Sequence, residues 1–186
     1  EKGREYDFAA SHNDYSTGLN FGNQPAMQVA HLFNYSGAPW LSQKWVRKVH
    51  EQAFSGTTPD SGYPDDEDQG IIGSLSALMA MGLFDVQGGC HDRPHWQITT
   101  PLFDKVTIRL HPDYYAGGTF TIKTRNNNPD NIYIRSAMLD GETLDKAWFY
   151  HEDLADGGTL ELTLGPEPNR QWGAEPPPSS RNRKKD

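Results

Sequence analysis

The sequence predicts an α+β chain with its helices first and its strands after, and three observations carry that prediction. Apolar residues between Gln24 and Phe84 recur at helical spacing. From about Val86 onward the period becomes two, as in half-buried antiparallel strands. Turn formers separate each apolar segment from the next.

Taken in order, the first helix is expected at Gln24, because Pro25 suits a first helical turn. Ala26, Val29, Ala30 and Phe33 continue it until Gly37 and Pro39 stop it. A second helix fits Trp40 to Phe54, with Trp45, Val49 and Ala53 on one face. The stretch "SGTTPDSGYP" is turn chemistry throughout. A third helix is expected from the acids of "PDDEDQG" to about Phe84; being apolar nearly all round, it should be buried. Strands follow at "KVTIRL" (105–110), "TFTIKT" (119–124), "NIYIRSAML" (131–139) and "GTLELTL" (158–164), joined by "YAGG", "NNNPDN", "LDGE" and "ADGG". They predict a small antiparallel β-sandwich or sheet meander. The tail after Gly173 is Pro-rich, then basic, and is expected to be disordered. The expected divisions are therefore 1–85, 86–173 and 174–186, with no internal repeat.

At 186 residues the chain can bury a real core, and it holds five Trp, eight Tyr and eight Phe. Its formal charge of −8 argues against nucleic acid, which requires a basic footprint. Residues 176–186 hold four basic side chains against one acid, which leaves −11 on residues 1–175. One cysteine, Cys90, excludes a disulfide framework within the chain. No run approaches the ~20 apolar residues of a membrane span, and the N-terminus lacks the order of a signal peptide. Without an initiator Met, the chain is expected to be a mature product or a piece of something longer.

The four contiguous acids Asp65, Asp66, Glu67 and Asp68 admit two readings. One carboxylate at a helix N-terminus gains about 0.3–1 kcal/mol from the dipole. Neighbouring carboxylates ~7 Å apart repel by roughly 0.6 kcal/mol even in water. Two acids are thus explained by a helix start, while four roughly cancel their own benefit. An EF-hand calcium loop is excluded by register: from Asp60 the sixth place holds Asp65, and from Asp66 it holds Ile71, where a Gly is required. In "CHDRPH", Cys90, His91, Asp92 and His95 are metal-capable types, but the spacing is not that of a zinc site and no second ligand pair follows. His31, His50 and His111 read as surface or packing residues.

The order of segments says more than any one of them. "FGNQPAMQVAHLFNYSGAPW", "SGYPDDEDQG", "MGLFDV", "PHWQITTPLFDKVTIRL", "NIYIRSAMLDGE" and "HEDLADGGTLELTLGPEPNRQWG" together resemble the C-terminal part of glycoside hydrolase family 92, the calcium-dependent, inverting exo-α-mannosidases. The likeness covers roughly residues 19–173. Its motifs are a Gly-Asn-(Glu/Gln)-Pro helix start, a Gly-x-(Asp/Asn)-(Glu/Asp)-Asp-x-Gly loop, a Ser/Thr-Pro-Leu-Phe run before a strand, and a closing Pro-Asn-x-x-Trp-Gly.

The resemblance implies that the helical half is the end of an (α/α)6 barrel carrying the active site, with the C-terminal β region packed on it. It places Asp68 as the general base, with Asp66 helping to hold the attacking water. Inverting glycosidases keep this carboxylate ~6.5–9.5 Å from the acid so that water fits. It also implies calcium on the vicinal hydroxyls of a terminal mannose. Asn23, Gln24 and Gln28 become candidates for metal or substrate contact, Gln24 for the metal and Asn23 and Gln28 for the sugar.

This sequence departs from the family pattern in three places. Gln24 stands where the family usually has Glu, so it brings an oxygen but no charge. "IIGSLS" replaces a more polar and aromatic run after Gly70. Nothing in residues 1–21 matches the family's acid-bearing Glu-Gly segment; Glu1 and Glu5 lack that context. The chain is therefore expected to be a C-terminal fragment that holds the base, lacks the acid and is inactive alone. Its expected partners are mannose-containing glycans, α-1,2-linked by family habit, and the missing N-terminal portion of the same enzyme. The alternative is a non-catalytic or degenerate carbohydrate-binding member, and a third reading makes residues 86–175 a stand-alone interaction module. "NYS" (34–36) is a glycosylation acceptor pattern, which with the family's habit points to a secreted or exported protein.

Overall fold

Helix α1 (Pro39–Ala53) shows how this chain builds its elements. Pro39 occupies the first turn, where a missing N–H costs nothing. Ser42, Val46, Val49 and Ala53 recur at three and four residues and are buried, as are Gln43 and Arg47. The structure is a computed structural model, and it describes residues 19–58, 60–62 and 69–179.

The expected helix from Gln24 is instead two 3-10 pieces, Gln24–Ala26 and Val29–Ser36, the second ending at Gly37 with φ 72°. The reason lies in the spacing of its polar residues. Three residues per turn align His31 with Asn34, both fully buried. Asn34 Nδ2 then donates to Gln97 Oε1 at 3.2 Å.

Helix α2 (Ile71–Met81) is shorter than expected and is bounded by Gly70 and Gly82, both left-handed at φ 93° and 75°. It buries one stripe, Ile72, Leu75 and Met79, while Ile71, Ser74 and Ala77 are exposed. The expectation of all-round burial fails because α2 packs on one side only among the described residues. After Gly82 the chain enters strand β1 (Leu83–Phe84), not further helix.

Two sheets follow. β1, β2 (His95–Ile98) and β7 (Trp148–Tyr150) form an antiparallel sheet in the order β1-β2-β7. The larger sheet contains β3 (Lys105–Arg109), β4 (Thr119–Arg125), β5 (Tyr133–Leu139), β6 (Glu142–Thr143) and β8 (Gly158–Gly165). Its order is β3-β4-β8-β5-β6. β8 is antiparallel to β5 and parallel to β4, so the expected all-antiparallel meander is corrected. The cause is geometric. β4 and β5 run in opposite directions, so a strand laid between them must be parallel to one. The short helix α3 (His151–Ala155) leads into β8.

Among the described residues two hydrophobic cores result. One gathers Ile98, Phe120, Ile122, Ile134, Phe149, Leu160 and Leu162 beneath the sheets. The other gathers Phe21, Val46, Val49, Ile72, Leu75 and Met79 among the helices. Polar side chains bridge them: Gln43 Oε1 accepts from the Ile134 N–H at 2.9 Å, and the Arg47 guanidinium donates to the Pro101 carbonyl at 2.9 Å. The closing "PNRQWG" is anchored too, with the Trp172 indole N–H donating to the Leu144 carbonyl at 2.8 Å. In the stretch beyond Gly173, Pro177 is buried and Glu175 pairs with Lys146 at 3.0 Å; residues 180–186 lie outside the described residues. No helix among the described residues is long and apolar enough to cross a membrane.

Candidate active site

Asp66 and Asp68 lie outside the described residues, so the site is built from its frame. On the far side of the acidic run, Gln69 (φ 61°) and Gly70 (φ 93°) are consecutive left-handed residues that turn the chain sharply into α2. Glycine meets that demand freely, whereas Gln69 carries a side chain in a conformation that L-residues seldom adopt. The Gly70 carbonyl accepts from both the N–H and the hydroxyl of Ser74, at 3.0 and 2.6 Å.

Between the end of α1 and the first half of α2 opens a cleft of about 380 Å³, bordered by Phe54, Thr57, Thr58, Gly62, Gly73 and Ser76. Gly62 and Gly73 lie on either side of the acidic run in sequence. Hydroxyls of Thr58 and Ser61 meet at 2.8 Å on this side. Behind Phe54 and Ser76 stands His50, with Nε2 3.4 Å from the Ser76 hydroxyl. Burial lowers the His50 pKa, and the Arg47 charge lowers it further, so a neutral imidazole backs the cleft. From sequence alone His50 reads as surface or packing. Its place on the last turn of α1, just before the turn-rich segment leading to the acids, is the available signal.

Asn23 precedes the first 3-10 turn in extended conformation and is half-buried, while Gln24 and Gln28 are exposed. None of the three borders the 380 Å³ cleft. Their segment packs instead along α1, where Phe21, Val29, Ala30 and Phe33 face Trp45 and Val49 around an apolar cavity of about 170 Å³. Calcium takes six to eight oxygen ligands, carboxylates prominent among them. The amide oxygens of Asn23 and Gln24 are of the right chemical class but neutral. No group of three or more His, Cys, Asp or Glu side chains that could hold a metal occurs among the described residues. The fit to calcium thus depends on carboxylates beyond them.

The remaining sequence candidates are engaged otherwise. His91 Nε2 lies 3.0 Å from Asp85 Oδ1, and His95 Nε2 lies 3.3 Å from the Tyr35 hydroxyl. Cys90 is exposed. His31 is fully buried, stacked on Phe84 with ring centroids 4.0 Å apart, and desolvation lowers its pKa to about 3. The acceptor pattern at Asn34 is not a glycan site in this fold, because its side chain is buried and its Nδ2 is committed to Gln97.

Comparison with known proteins adds the family. Residues 3–166 match the glycosyl hydrolase family 92 catalytic domain. A relative described as an uncharacterized secreted glycosidase of Arthroderma benhamiae is 36% identical over 166 residues, covering 87% of this chain and 20% of that protein. A family GH92 α-mannosidase from Bacteroides thetaiotaomicron, solved in complex with mannoimidazole, superposes with a TM-score of 0.77 at 26% identity, over 86% of this chain and 20% of that one. A family GH92 inverting mannosidase from the same organism gives a TM-score of 0.71 at 35% identity, over 83% of this chain and 20% of that one. The chain thus spans about 20% of the length of these relatives. With the family match running over most of its length, the chain belongs to glycosyl hydrolase family 92.

Proposed function

We propose that this chain is the base-bearing part of an exported, inverting, calcium-dependent α-mannosidase that releases terminal, α-1,2-linked mannose from glycans. The observation that carries the reading is the family match, with mannosidases as the solved relatives. On this reading residues 1–85 end an (α/α)6 barrel, 86–173 form the C-terminal β region and 174–186 form a basic tail. The secreted character of the fungal relative supports an exported protein.

In the proposed reaction Asp68 takes a proton from a water as that water attacks the anomeric carbon. The glycosidic oxygen leaves from the opposite face with a proton from an acid elsewhere in the protein, and configuration inverts. Asp66 orients the water. Asn23 and Gln28 would contact the sugar, and Gln24 would offer its oxygen to calcium. When bound, calcium supplies a Lewis acid that polarises sugar hydroxyls.

The test is Asp68→Asn in the protein that carries these residues. Turnover of α-mannosides should fall by ~10²–10⁴-fold, and a loss below about tenfold overturns the role. A second reading, a non-catalytic sugar-binding member, is favoured by Gln24 in place of Glu and by "IIGSLS". Measurable turnover excludes it.

A further inference from the structure

The Cys90–His95 motif, which runs from the loop after β1 into the start of β2, has no part in the proposed reaction, yet this region borders a second cleft. This cleft measures about 370 Å³ and is lined by Asp85, Gly88, Gly89, His95, Trp96 and His151. Its volume falls within the roughly 300–1,000 Å³ of small-ligand pockets. Leu78, in the second half of α2, also borders it. At a rise of ~1.5 Å per residue, Leu78 lies ~12 Å along the axis from Gly70, where the acidic loop enters the helix.

The polar groups here point to one class of ligand. The Trp96 indole N–H donates to His151 Nδ1 at 3.0 Å, which places the proton of the His151 ring on Nε2 as a donor. His95 is 1% exposed. Its Nε2 lies 3.3 Å from the Tyr35 hydroxyl, so its ring closes the floor of the cleft. Asp85 accepts from the Gln87 N–H at 2.9 Å, the Gly89 N–H at 2.7 Å and His91 at 3.0 Å. A carboxylate offers about four lone-pair sites, so one is to spare. Gly88 and Gly89, both at positive φ, leave open space where side chains would stand.

We propose that this cleft binds one neutral sugar ring, at a site separate from the acidic loop. The indole of Trp96 gives the apolar face of a pyranose a flat wall, Asp85 accepts from a hydroxyl, and the His151 Nε2–H donates to another. The alternatives fit less well. An anion is repelled by Asp85. A metal ion lacks a group of three ligands among the described residues. A wholly apolar ligand would cover the last open acceptor site of Asp85 and the His151 Nε2–H without pairing either, at a cost. The proposal rests on membership of a glycosidase family and not on the role of Asp68.

The experiment titrates the isotopically labelled protein that carries these residues with methyl α-mannoside and follows the Trp96 indole N–H and the imidazole signals of His151. Saturable shifts at these groups are expected, with a dissociation constant of ~1–10 mM. Trp96→Leu should weaken binding about tenfold. Since Trp96 also packs on the core, the shift map of the unsubstituted chain decides the matter if that variant does not fold. No shift at Trp96 and His151 up to ~100 mM probe overturns the proposal; so does an equal response to glycerol. Shifts confined to Gln69–Ser76 overturn it too, while leaving the assignment of Asp68 untouched.

Discussion

Gln43 Oε1 accepts the backbone N–H of Ile134 at 2.9 Å, joining positions 91 residues apart. The bond falls at the register shift between Ile134 and Ser136, where β5 bulges against β8 and its amide needs a partner from outside the ladder. A helix side chain thereby completes the hydrogen bonding of a strand. Gln43→Leu should leave that buried N–H unpaired and lower stability by about 1–3 kcal/mol, read as a shift of the denaturation midpoint in urea.

The same dependence argues against the β half as an independent module. Residues 86–175 alone would lack Gln43, Arg47, Asn34 and the strand partner Leu83. Expressed by itself, this segment should give the far-ultraviolet spectrum of an unfolded chain, and a cooperative thermal transition would revive the module.

His31 sets a pH limit. Burial holds its pKa near 3, below the 6.5 of a free imidazole. Between those values the unfolded chain binds a proton that the folded chain does not. Its contribution to stability is therefore complete above pH 6.5 and declines as pH falls toward 3, by at most ~1.4 kcal/mol per pH unit. His31→Phe, which can still stack on Phe84, should flatten the difference in stability between pH 7 and pH 5.

Gly82 should tolerate no side chain. Its φ is 75°, and an added Cβ would lie 2.7 Å from the Thr99 carbonyl oxygen. Gly82→Ala should cost about 1–3 kcal/mol, measurable by calorimetry. Gly88→Ala, with open space around it, should cost less.

The proposed calcium dependence offers a separate check on Gln24. In the protein that carries these residues, chelation should abolish mannoside turnover. Gln24→Glu adds a charged oxygen ligand and should tighten calcium by roughly an order of magnitude. Titration calorimetry showing no change would remove Gln24 from the metal site.

Much of this architecture was legible because strands with one buried face declare a period of two. Phe120 and Ile122, or Leu160, Leu162 and Leu164, are buried at alternate positions just as their spacing implies. The parallel pairing of β8 with β4 was not legible, since one strand's pattern does not name its neighbours. Nor was the 3-10 geometry of Val29–Ser36, which depends on where Gln97 waits for Asn34. Strand β1 has only two residues, too few to show any period. Of the candidate site, Asp66 and Asp68 came from a family motif, and composition alone left them divided between helix start and chemistry. The cleft by Trp96 was hidden because its walls come from α2, the loop after β1, β2 and α3, which no local pattern brings together.

The place of β8 has a consequence for how the protein is made. The strand at the centre of the five-stranded sheet is the last to be synthesised, so β4 and β5 have no common partner until residues 158–165 emerge. Until then the nascent chain holds two hairpins, β3–β4 and β5–β6, whose inner edges carry unpaired backbone groups open to association. Closing the sheet is thus a late event joining distant positions, which slows folding relative to the local helices. Ribosomes that stop short of Gly158 would release chains with both of those edges exposed.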